Sequence, residues 1–238
     1  MKIAILGYGK MGREIEKLAL EHKHQLILKI DSEEDWEKMG PQLKDADVAI
    51  EFSMPGTVIS NIKKCFAAGI PVVVGTTGWH EQESEITALC NNSGQSMFFA
   101  ANFNIGVNIF FEINKRLAAL MNHQTQYHPY IEEIHHLQKI DQPSGTAIKL
   151  ARDMIHALDR KSLWVNTKPS ESKELEIKSL RIDEVPGNHI VRYASDNDML
   201  EIRHEAKNRK GFAQGALMAA AWLMGKKGVY GMHDLLGI

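Results

Sequence analysis

This chain has few cysteines, almost no net charge and no apolar stretch long enough to span a membrane. Its 238 residues include two cysteines, Cys65 and Cys90, and neither stands in a Cys-x-x-Cys or zinc-ligand spacing, so both are expected to be buried apolar residues. The formal net charge is −2, which argues against a nucleic-acid or anionic membrane partner. The most apolar stretch, residues 212–224, is too short to span a bilayer. The β pattern that begins directly after Met1 leaves no room for a signal peptide, so a soluble, cytoplasmic protein is expected.

A glycine-rich turn follows the first predicted strand. The apolar run 3–6 is typical of a buried strand, and a helical apolar stripe begins at Ile15. Between them lies a G-x-G-x-x-G sequence, whose glycines allow a tight turn, close approach of a pyrophosphate and helix–strand packing. The predicted dinucleotide contacts are Gly7, Tyr8, Gly9, Lys10, Met11 and Gly12. Asp31 ends the second predicted strand, 26–30, where a ribose-binding carboxylate belongs; a purely structural strand-end aspartate is the alternative.

Strands and helices alternate through the first half of the chain. Predicted strands at 48–52, 71–74 and 97–100 alternate with predicted helices at 57–68 and 81–89. This order predicts a Rossmann-type α/β fold with a doubly wound parallel sheet, which binds ligands at the carboxyl ends of its strands. The turns at those ends outline one cleft, and its candidate ligand contacts are Phe52, Gly75, Thr76, Thr77, Ala100, Asn102 and Phe103.

The second half has the pattern of an α+β domain with a mixed or antiparallel sheet. A long helix is predicted over 106–121. Two alternating apolar segments, 190–193 and 199–204, flank a turn-rich sequence and predict a β-hairpin. A last apolar helix is expected over 212–224.

One strand of the second half shows an interrupted alternation. Leu175 and Ile177 alternate with polar residues, but the pattern slips by one place before Leu180 and Ile182. An extra residue in the strand would produce such a slip, so a β-bulge is predicted there.

The stretch 133–147, E-I-H-H-L-Q-K-I-D-Q-P-S-G-T-A, concentrates the chemistry of the chain. It holds two adjacent histidines, a lysine, and a run leading into a helical apolar pattern, so Ser144 is predicted to cap a helix. The unpaired backbone N–H groups of a helix N-terminus attract a carboxylate or a phosphate, and Gly145 allows close approach. A proton donor, a fixed cation and an anion-binding site are therefore expected together.

Two other interpretations of these histidines stay open at this point. An adjacent histidine pair is often only a structural polar pair. Four histidines close in sequence, His123, His128, His135 and His136, also suggest metal binding. Since no cysteine or H-E-x-x-H spacing accompanies them, no metal is expected.

The stretch 133–147 resembles the signature of dihydrodipicolinate reductases (4-hydroxy-tetrahydrodipicolinate reductases), enzymes of diaminopimelate and lysine biosynthesis. G-T-T-G at 75–78, A-N-F-x-x-G-V-N at 101–108 and H-E-A-K-N-R-K-G-F-A-Q-G-A at 204–216 also match that family. The resemblance therefore extends along the whole chain. Two features depart from the family: the glycine loop is shorter, with Lys10 where arginine is usual, and the chain is somewhat short.

The resemblance implies a role for each part of the site. His135 is the catalytic histidine and Lys139 the proton donor. The substrate carboxylates are held by His136, Ser144, Gly145 and Thr146. The turns after the first-half strands surround the nicotinamide of NADH or NADPH, and the protein is a homotetramer. The last helix returns to the first domain, which gives domains at 1–105, 106–211 and 212–238.

The resulting hypothesis is an NAD(P)H-dependent reductase of a conjugated cyclic imine with two carboxylates, 4-hydroxy-tetrahydrodipicolinate. Hydride addition leaves negative charge on the enamine-like product, so the site needs a proton donor. One alternative is another two-domain dehydrogenase of amino-acid metabolism, similar to aspartate or homoserine dehydrogenase. Another is a catalytically silent dinucleotide-sensing module, against which the intact His135, Lys139 and 144–146 argue.

Overall fold

A computed structural model describes residues 1–208 and 210–238. The chain divides into two compact units, the first made of Met1–Ile105 with Lys210–Ile238 and the second of Gly106–Arg209. The strands are β1 (Lys2–Leu6), β2 (Gln25–Ile30), β3 (Val48–Glu51), β4 (Val72–Val74), β5 (Ser96–Phe99), β6 (His128–His135), β7 (Leu163–Val165), β8 (Glu174–Arg181), β9 (Gly187–Ala194), β10 (Met199–Ala206) and β11 (Gly228–Tyr230). The α-helices are α1 (Lys10–Glu21), α2 (Glu33–Met39), α3 (Val58–Ala67), α4 (Glu83–Asn92), α5 (Ile105–Met121), α6 (Gly145–Ala157), α7 (Lys210–Leu223) and α8 (Met232–Leu236).

The first unit is built on a parallel sheet. Among the described residues its six strands lie in the order β11-β5-β4-β3-β1-β2, and each neighbouring pair is parallel. Ile3, Ala4, Ile5 and Leu6 of β1 have no exposed surface, as expected for a parallel strand covered by helices on both faces. The predicted doubly wound sheet is confirmed, and the turns after β1, β3, β4 and β5 leave the same edge of it.

Two apolar clusters cover the two faces of this sheet. One cluster packs Ile5 of β1 against Ala216 of α7, so the C-terminal segment contributes to the core of the first unit. The other packs the strands against α3, through residues such as Ile62. Cys65 and Cys90 lie in this second cluster as buried free thiols, which confirms their prediction as buried apolar residues.

The second unit is built on a mixed sheet in the order β10-β9-β6-β8-β7. β8 is parallel to β6 and β7, whereas β9 is antiparallel to β6 and β10. Phe110 of α5 and Leu150 of α6 pack with Tyr193 of β9 in one apolar cluster. β9 and β10 form the predicted hairpin, and in its turn the Ser195 N–H donates to the Asp198 carbonyl oxygen at 2.9 Å. The predicted α+β class is confirmed.

The predicted β-bulge in β8 is wrong. Residues 176–181 pair with residues 130–135 of β6 in an unbroken parallel register. Leu175 and Ile177 are 0% and 1% exposed, whereas Leu180 is 42% exposed, because alternate positions of a strand face opposite sides. The slip in the apolar pattern marks a change of the sheet face that carries the apolar residues, and no residue is inserted.

The other predicted helices and strands are present, with their ends shifted by up to three residues. The ends of helices and strands fray, so the apolar pattern of the sequence marks them less sharply than it marks the middle of each element. In the part of the chain that the structure describes, no helix has both the length and the apolar character to cross a membrane.

Candidate active site

The glycines shape the turn after β1 in the first unit. Gly7 has a φ of +91°, and a Cβ there would lie 2.3 Å from the carbonyl oxygen of Phe52. A Cβ on Gly12 would lie 2.4 Å from the carbonyl oxygen of Gly7, but a Cβ on Gly9 would meet none of the described atoms within 4 Å. Gly9 is the N-cap of α1 and offers no side-chain hydrogen bond. The backbone at Gly9 is therefore open to a ligand at the start of α1, as at a phosphate-binding helix N-terminus. The other predicted contacts of this turn, Lys10 and Met11, begin α1.

Asp31 lies beside this turn, directly after β2. Its Oδ1 accepts a hydrogen bond from the Tyr8 backbone N–H at 2.7 Å. The Asp35 carboxylate accepts hydrogen bonds from the backbone N–H groups of Asp31 and Ser32, which adds a second acid at the same corner. Tyr8, Asp31 and Asp35 line a cavity of about 370 Å³. The structure thus brings the predicted pyrophosphate-binding turn and the predicted ribose-binding carboxylate together.

The turns after β3, β4 and β5 meet around the ring of Phe52. A Cβ on Gly75 would lie 2.2 Å from that ring, and the ring centroid of Phe103 lies 5.6 Å away. Beneath them Glu51 is fully buried and accepts a hydrogen bond from the Ser53 N–H at 3.2 Å. Burial raises the pKa of Glu51. The same turns carry the remaining predicted contacts, Thr76, Thr77, Ala100 and Asn102.

In the second unit, the end of β6 and the start of α6 form the other candidate site. Glu133 and His135 are two residues apart in β6, so they face the same side of the sheet, and they are 0% and 7% exposed. Ser144 is the N-cap of α6, and its Oγ accepts a hydrogen bond from the Ala147 N–H at 3.2 Å. The predicted cap is confirmed. A Cβ on Gly145 would meet none of the described atoms within 4 Å, so the backbone of this helix terminus is open to a ligand.

A buried carboxylate joins these two elements. Glu133 accepts hydrogen bonds from the Ser144 N–H at 3.1 and 3.0 Å and from both terminal nitrogens of Arg181 at 3.3 Å. The Nε2 atom of His135 lies 3.4 Å from the Oε2 atom of Glu133. Burial alone would raise the pKa of Glu133, but hydrogen bonds, led by those from His135 and Ser144, outweigh it and hold that pKa well below its usual range. Glu133 is therefore an anion at neutral pH.

His189 of β9 completes the cluster. Its Nε2 lies 3.0 Å from Ser144 Oγ and 3.4 Å from His135 Nε2. Burial, followed by repulsion from His135, lowers the pKa of His189 to about 3, so this histidine is neutral at pH 7. These five residues, Glu133, His135, Ser144, Arg181 and His189, are called the Glu133 network below.

Three members of the Glu133 network have the residue types of a metal site. Ligand atoms of Glu133, His135 and His189 lie within 4.8 Å of one another. The same atoms contact Ser144, Arg181 and each other at hydrogen-bonding distances, which accounts for their closeness without an ion. The sequence predicts no metal, and this stays a prediction.

The loop between β6 and α6 carries the predicted proton donor. The Nζ atom of Lys139 lies 2.7 and 2.9 Å from the carboxylate oxygens of Asp141, and the lysine side chain is 22% exposed. Arg181 donates to the Asp141 carbonyl oxygen at 2.6 Å and thereby ties this loop to Glu133. The other predicted substrate contacts in this region, His136 and Thr146, are half-buried.

The sequence predicts no role for Glu133, Arg181 or His189. Glu133 stands opposite His189 in the antiparallel β6–β9 pair, and His135 stands opposite Arg181 in the parallel β6–β8 pair. These pairings join segments that lie far apart in the chain, so no local pattern reveals them. The only sequence signal is an acid on the buried face of one strand and a histidine inside another apolar strand.

Both parts of the chain match one protein family. Residues 1–103 match the N-terminus of dihydrodipicolinate reductase, and residues 106–236 match its C-terminus. The chain belongs to the dihydrodipicolinate reductase family. This confirms the resemblance found in the stretch 133–147, and the protein is accordingly an oxidoreductase. Its N-terminal region is the dinucleotide-binding part of a nicotinamide-dependent reductase.

Named dihydrodipicolinate reductases are similar to the chain over nearly its whole length. A 4-hydroxy-tetrahydrodipicolinate reductase from Christiangramia forsetii is 43% identical over 236 residues, covering 99% of this chain and 98% of that protein. One from Neisseria meningitidis is 32% identical over 270 residues, covering 100% and 98%. The solved dipicolinate-bound dihydrodipicolinate reductase from Paenisporosarcina sp. TG-14 has a TM-score of 0.79 at 22% identity and covers 98% of both chains. At that identity, the structural likeness shows the shared fold.

Proposed function

We propose that this protein is a 4-hydroxy-tetrahydrodipicolinate reductase that uses NADH or NADPH in diaminopimelate and lysine biosynthesis. Relatives of that name match it over nearly its whole length. The observation that carries the proposal is the open N-terminus of α6 at Gly145, which Glu133 and Arg181 tie to the loop of Lys139. A helix N-terminus and an ammonium group together suit a substrate with two carboxylates. The Paenisporosarcina reductase was solved with dipicolinate bound, which is such a dicarboxylate.

In this proposal the first unit binds the dinucleotide. A bound reduced nicotinamide supplies the hydride. The turn 7–12 binds the pyrophosphate at Gly9, where a ligand can approach the backbone at the N-terminus of α1. Asp31 accepts a hydrogen bond from a ribose hydroxyl. The turns packed around Phe52 contact the nicotinamide end.

The second unit binds the substrate and supplies the proton. The backbone N–H groups of Gly145 and Thr146, with Ser144 and His136, bind the carboxylates. Lys139 donates the proton that neutralises the charge left by hydride addition. His135, held in the Glu133 network, assists Lys139 in this proton transfer.

One assay tests the proposed reaction against its alternatives. Purified protein and NADH are mixed with the condensation product of pyruvate and aspartate semialdehyde, and loss of nicotinamide absorbance is expected. An aspartate or homoserine dehydrogenase would respond to its own amino-acid substrate and not to this mixture. A dinucleotide-sensing module would bind NADH without turnover. A folded protein that binds NADH and does not turn over the condensation product would refute the proposal.

The family resemblance also supports a cytoplasmic homotetramer that assembles through the sheets of its second units. Leu180 of β8 and Met199 of β10 lie on the sheet face away from the apolar core and are 42% and 56% exposed. Apolar surface of this kind is what a neighbouring subunit would cover. Both the assembly and the location stay predictions.

NADH is expected to serve this enzyme at least as well as NADPH. Asp31, the proposed ribose contact, is followed by Ser32 and by three acids at 33–35. A 2′-phosphate at this corner would face several carboxylates, whereas the ribose hydroxyl of NADH needs only an acceptor. The measurement is kcat/KM for each cofactor at saturating substrate. A value for NADPH well above that for NADH would contradict the prediction, and Lys10→Ala would then show whether Lys10 compensates the phosphate.

Gly145→Val and Gly9→Val are expected to have reciprocal effects. Both glycines leave open space for a side chain, so neither substitution should impair folding. Gly145→Val should raise the substrate KM roughly 10- to 100-fold, the worth of one or two charge-assisted hydrogen bonds, and leave the affinity for NADH unchanged. Gly9→Val should weaken the binding of NADH and leave the substrate KM unchanged. Equal loss of both affinities in either variant would mean that the glycine serves folding and not ligand approach.

A further inference from the structure

His189 lies inside the Glu133 network without belonging to the family signature in 133–147. It is 5% exposed, and its Nε2 atom lies within 3.0 Å of Ser144 Oγ. Its other ring nitrogen, Nδ1, is buried and has no hydrogen-bond partner among the described residues. The ring therefore makes its polar contacts through one end only.

The hydrogen-bond pattern fixes which nitrogen of His189 carries the proton. Because burial lowers its pKa to about 3, the neutral ring has a single N–H near pH 7. An N–H at Nδ1 would be a buried donor without an acceptor, which native proteins avoid. The proton therefore lies on Nε2, from where it is donated to Ser144 Oγ.

This donation fills the acceptor capacity of the Ser144 hydroxyl. Its Oγ accepts from the Ala147 N–H at 3.2 Å and from His189 at 3.0 Å, which uses both lone pairs of a hydroxyl oxygen. The hydroxyl proton takes no part in either of these hydrogen bonds. The Ser144 backbone N–H points to Glu133. The cap residue is thus held by both its backbone and its side chain.

We propose that His189 is a positioning residue for the carboxylate-binding N-terminus of α6. By holding Ser144 in one orientation, it fixes the direction of the open backbone N–H groups that follow at Gly145 and Thr146. It does not touch the substrate and takes no part in proton transfer. The inference rests on the proposed function, because it assigns the α6 terminus to a substrate carboxylate.

Three substitutions of His189 separate this role from simple packing. His189→Leu removes the N–H and should raise the substrate KM roughly 3- to 10-fold, the worth of one neutral hydrogen bond, with the KM for NADH unchanged. His189→Gln returns an N–H to the ε position and should restore the KM. His189→Asn ends at the δ position, where His189 has no partner, and should behave like His189→Leu. A residue that only fills space would not distinguish glutamine from asparagine in this way.

The measurements are steady-state constants, thermal melts, and calorimetric binding of dipicolinate as a probe that needs no turnover. His156→Leu, at an exposed position of α6, is the matched control and should leave all constants unchanged. Wild-type KM and dipicolinate affinity in a folded His189→Leu variant would overturn the proposal. So would a His189→Gln variant as impaired as His189→Leu, or an equal rise in the KM for NADH.

A nuclear magnetic resonance measurement tests the hydrogen bonding of His189 independently of the proposed function. If the wild-type protein neither turns over the condensation product nor binds dipicolinate, the proposed function fails. The ¹⁵N shifts of His189 still decide its hydrogen bonding. A neutral ring protonated at Nε2 near pH 7 supports the assignment, and a ring protonated at Nδ1 or at both nitrogens contradicts it.

Discussion

Lys139→Ala is expected to lower kcat roughly 10²- to 10⁴-fold, the usual contribution of a general acid, and to raise the substrate KM as well. The lysine can act in both ways because its ammonium is partly exposed on the loop that precedes the α6 terminus, paired only with Asp141 in the described contacts. A group that merely binds a carboxylate acts on ground and transition states alike and appears mainly in KM. A lower kcat together with a higher substrate KM therefore identifies a residue that both binds the substrate and donates the proton.

His135→Gln is expected to lower kcat with little change in KM. His135 is 7% exposed, and its Nε2 lies 3.4 Å from Glu133. A Cβ on Gly187 would lie 2.8 Å from the ring, so the ring is confined between its neighbours. His136→Gln should affect kcat less, because adjacent residues in an extended segment point to opposite sides.

The measurement for these variants is a full set of steady-state constants, with folding checked by thermal melts. Lys149→Ala is a matched control, since Lys149 is also paired with an aspartate, Asp153, on α6. It should leave kcat unchanged. Near-normal kcat in both His135→Gln and Lys139→Ala would mean that the proton comes from another group, and the catalytic assignment would be wrong.

The parts of the fold that could be predicted are those whose signals are local. The strand at 3–6, the G-x-G-x-x-G turn and the Ser144 cap each depend on a few neighbouring residues, and the structure has all three. The three glycines of the turn look alike in sequence. Only the structure shows that Gly7 and Gly12 are enforced by close backbone contacts while Gly9 is open.

What could not be predicted depends on strand register and on which face of a sheet is covered. The apolar Leu180 predicts a bulge only if every apolar residue of the strand faces the core, yet it is exposed on the other face of β8. The pairing of Glu133 with His189 requires knowing that β6 lies beside β9. Register between distant strands is set by packing and turn geometry across the whole sheet, which no short window contains.

Glu133→Gln is expected to be the most destabilising of the substitutions considered for the second unit. The carboxylate is fully buried and accepts hydrogen bonds from Ser144 and Arg181. A glutamine amide would turn an NH₂ group toward one of these donors and leave the Arg181 charge without its partner. Removing one partner of a buried ion pair costs about 3–5 kcal/mol. Glu171→Gln, in an exposed pair with Lys173, is the matched control and should cost well under about 1 kcal/mol.

The pH dependence of the free energy of unfolding gives this last prediction a second test. The folded-state pKa of Glu133 lies below the unfolded value, which is about 4.3 for glutamate. Its stabilisation is therefore fully present above that unfolded pKa and is lost as the pH falls through the folded pKa. Urea unfolding at several pH values should show a constant gap between wild type and Glu133→Gln from about pH 6 to 8 and a narrowing gap below about pH 4. If the difference in the free energy of unfolding instead widens on acidification, Glu133 is protonated in the folded protein. The conclusion that Glu133 is an anion would then be wrong.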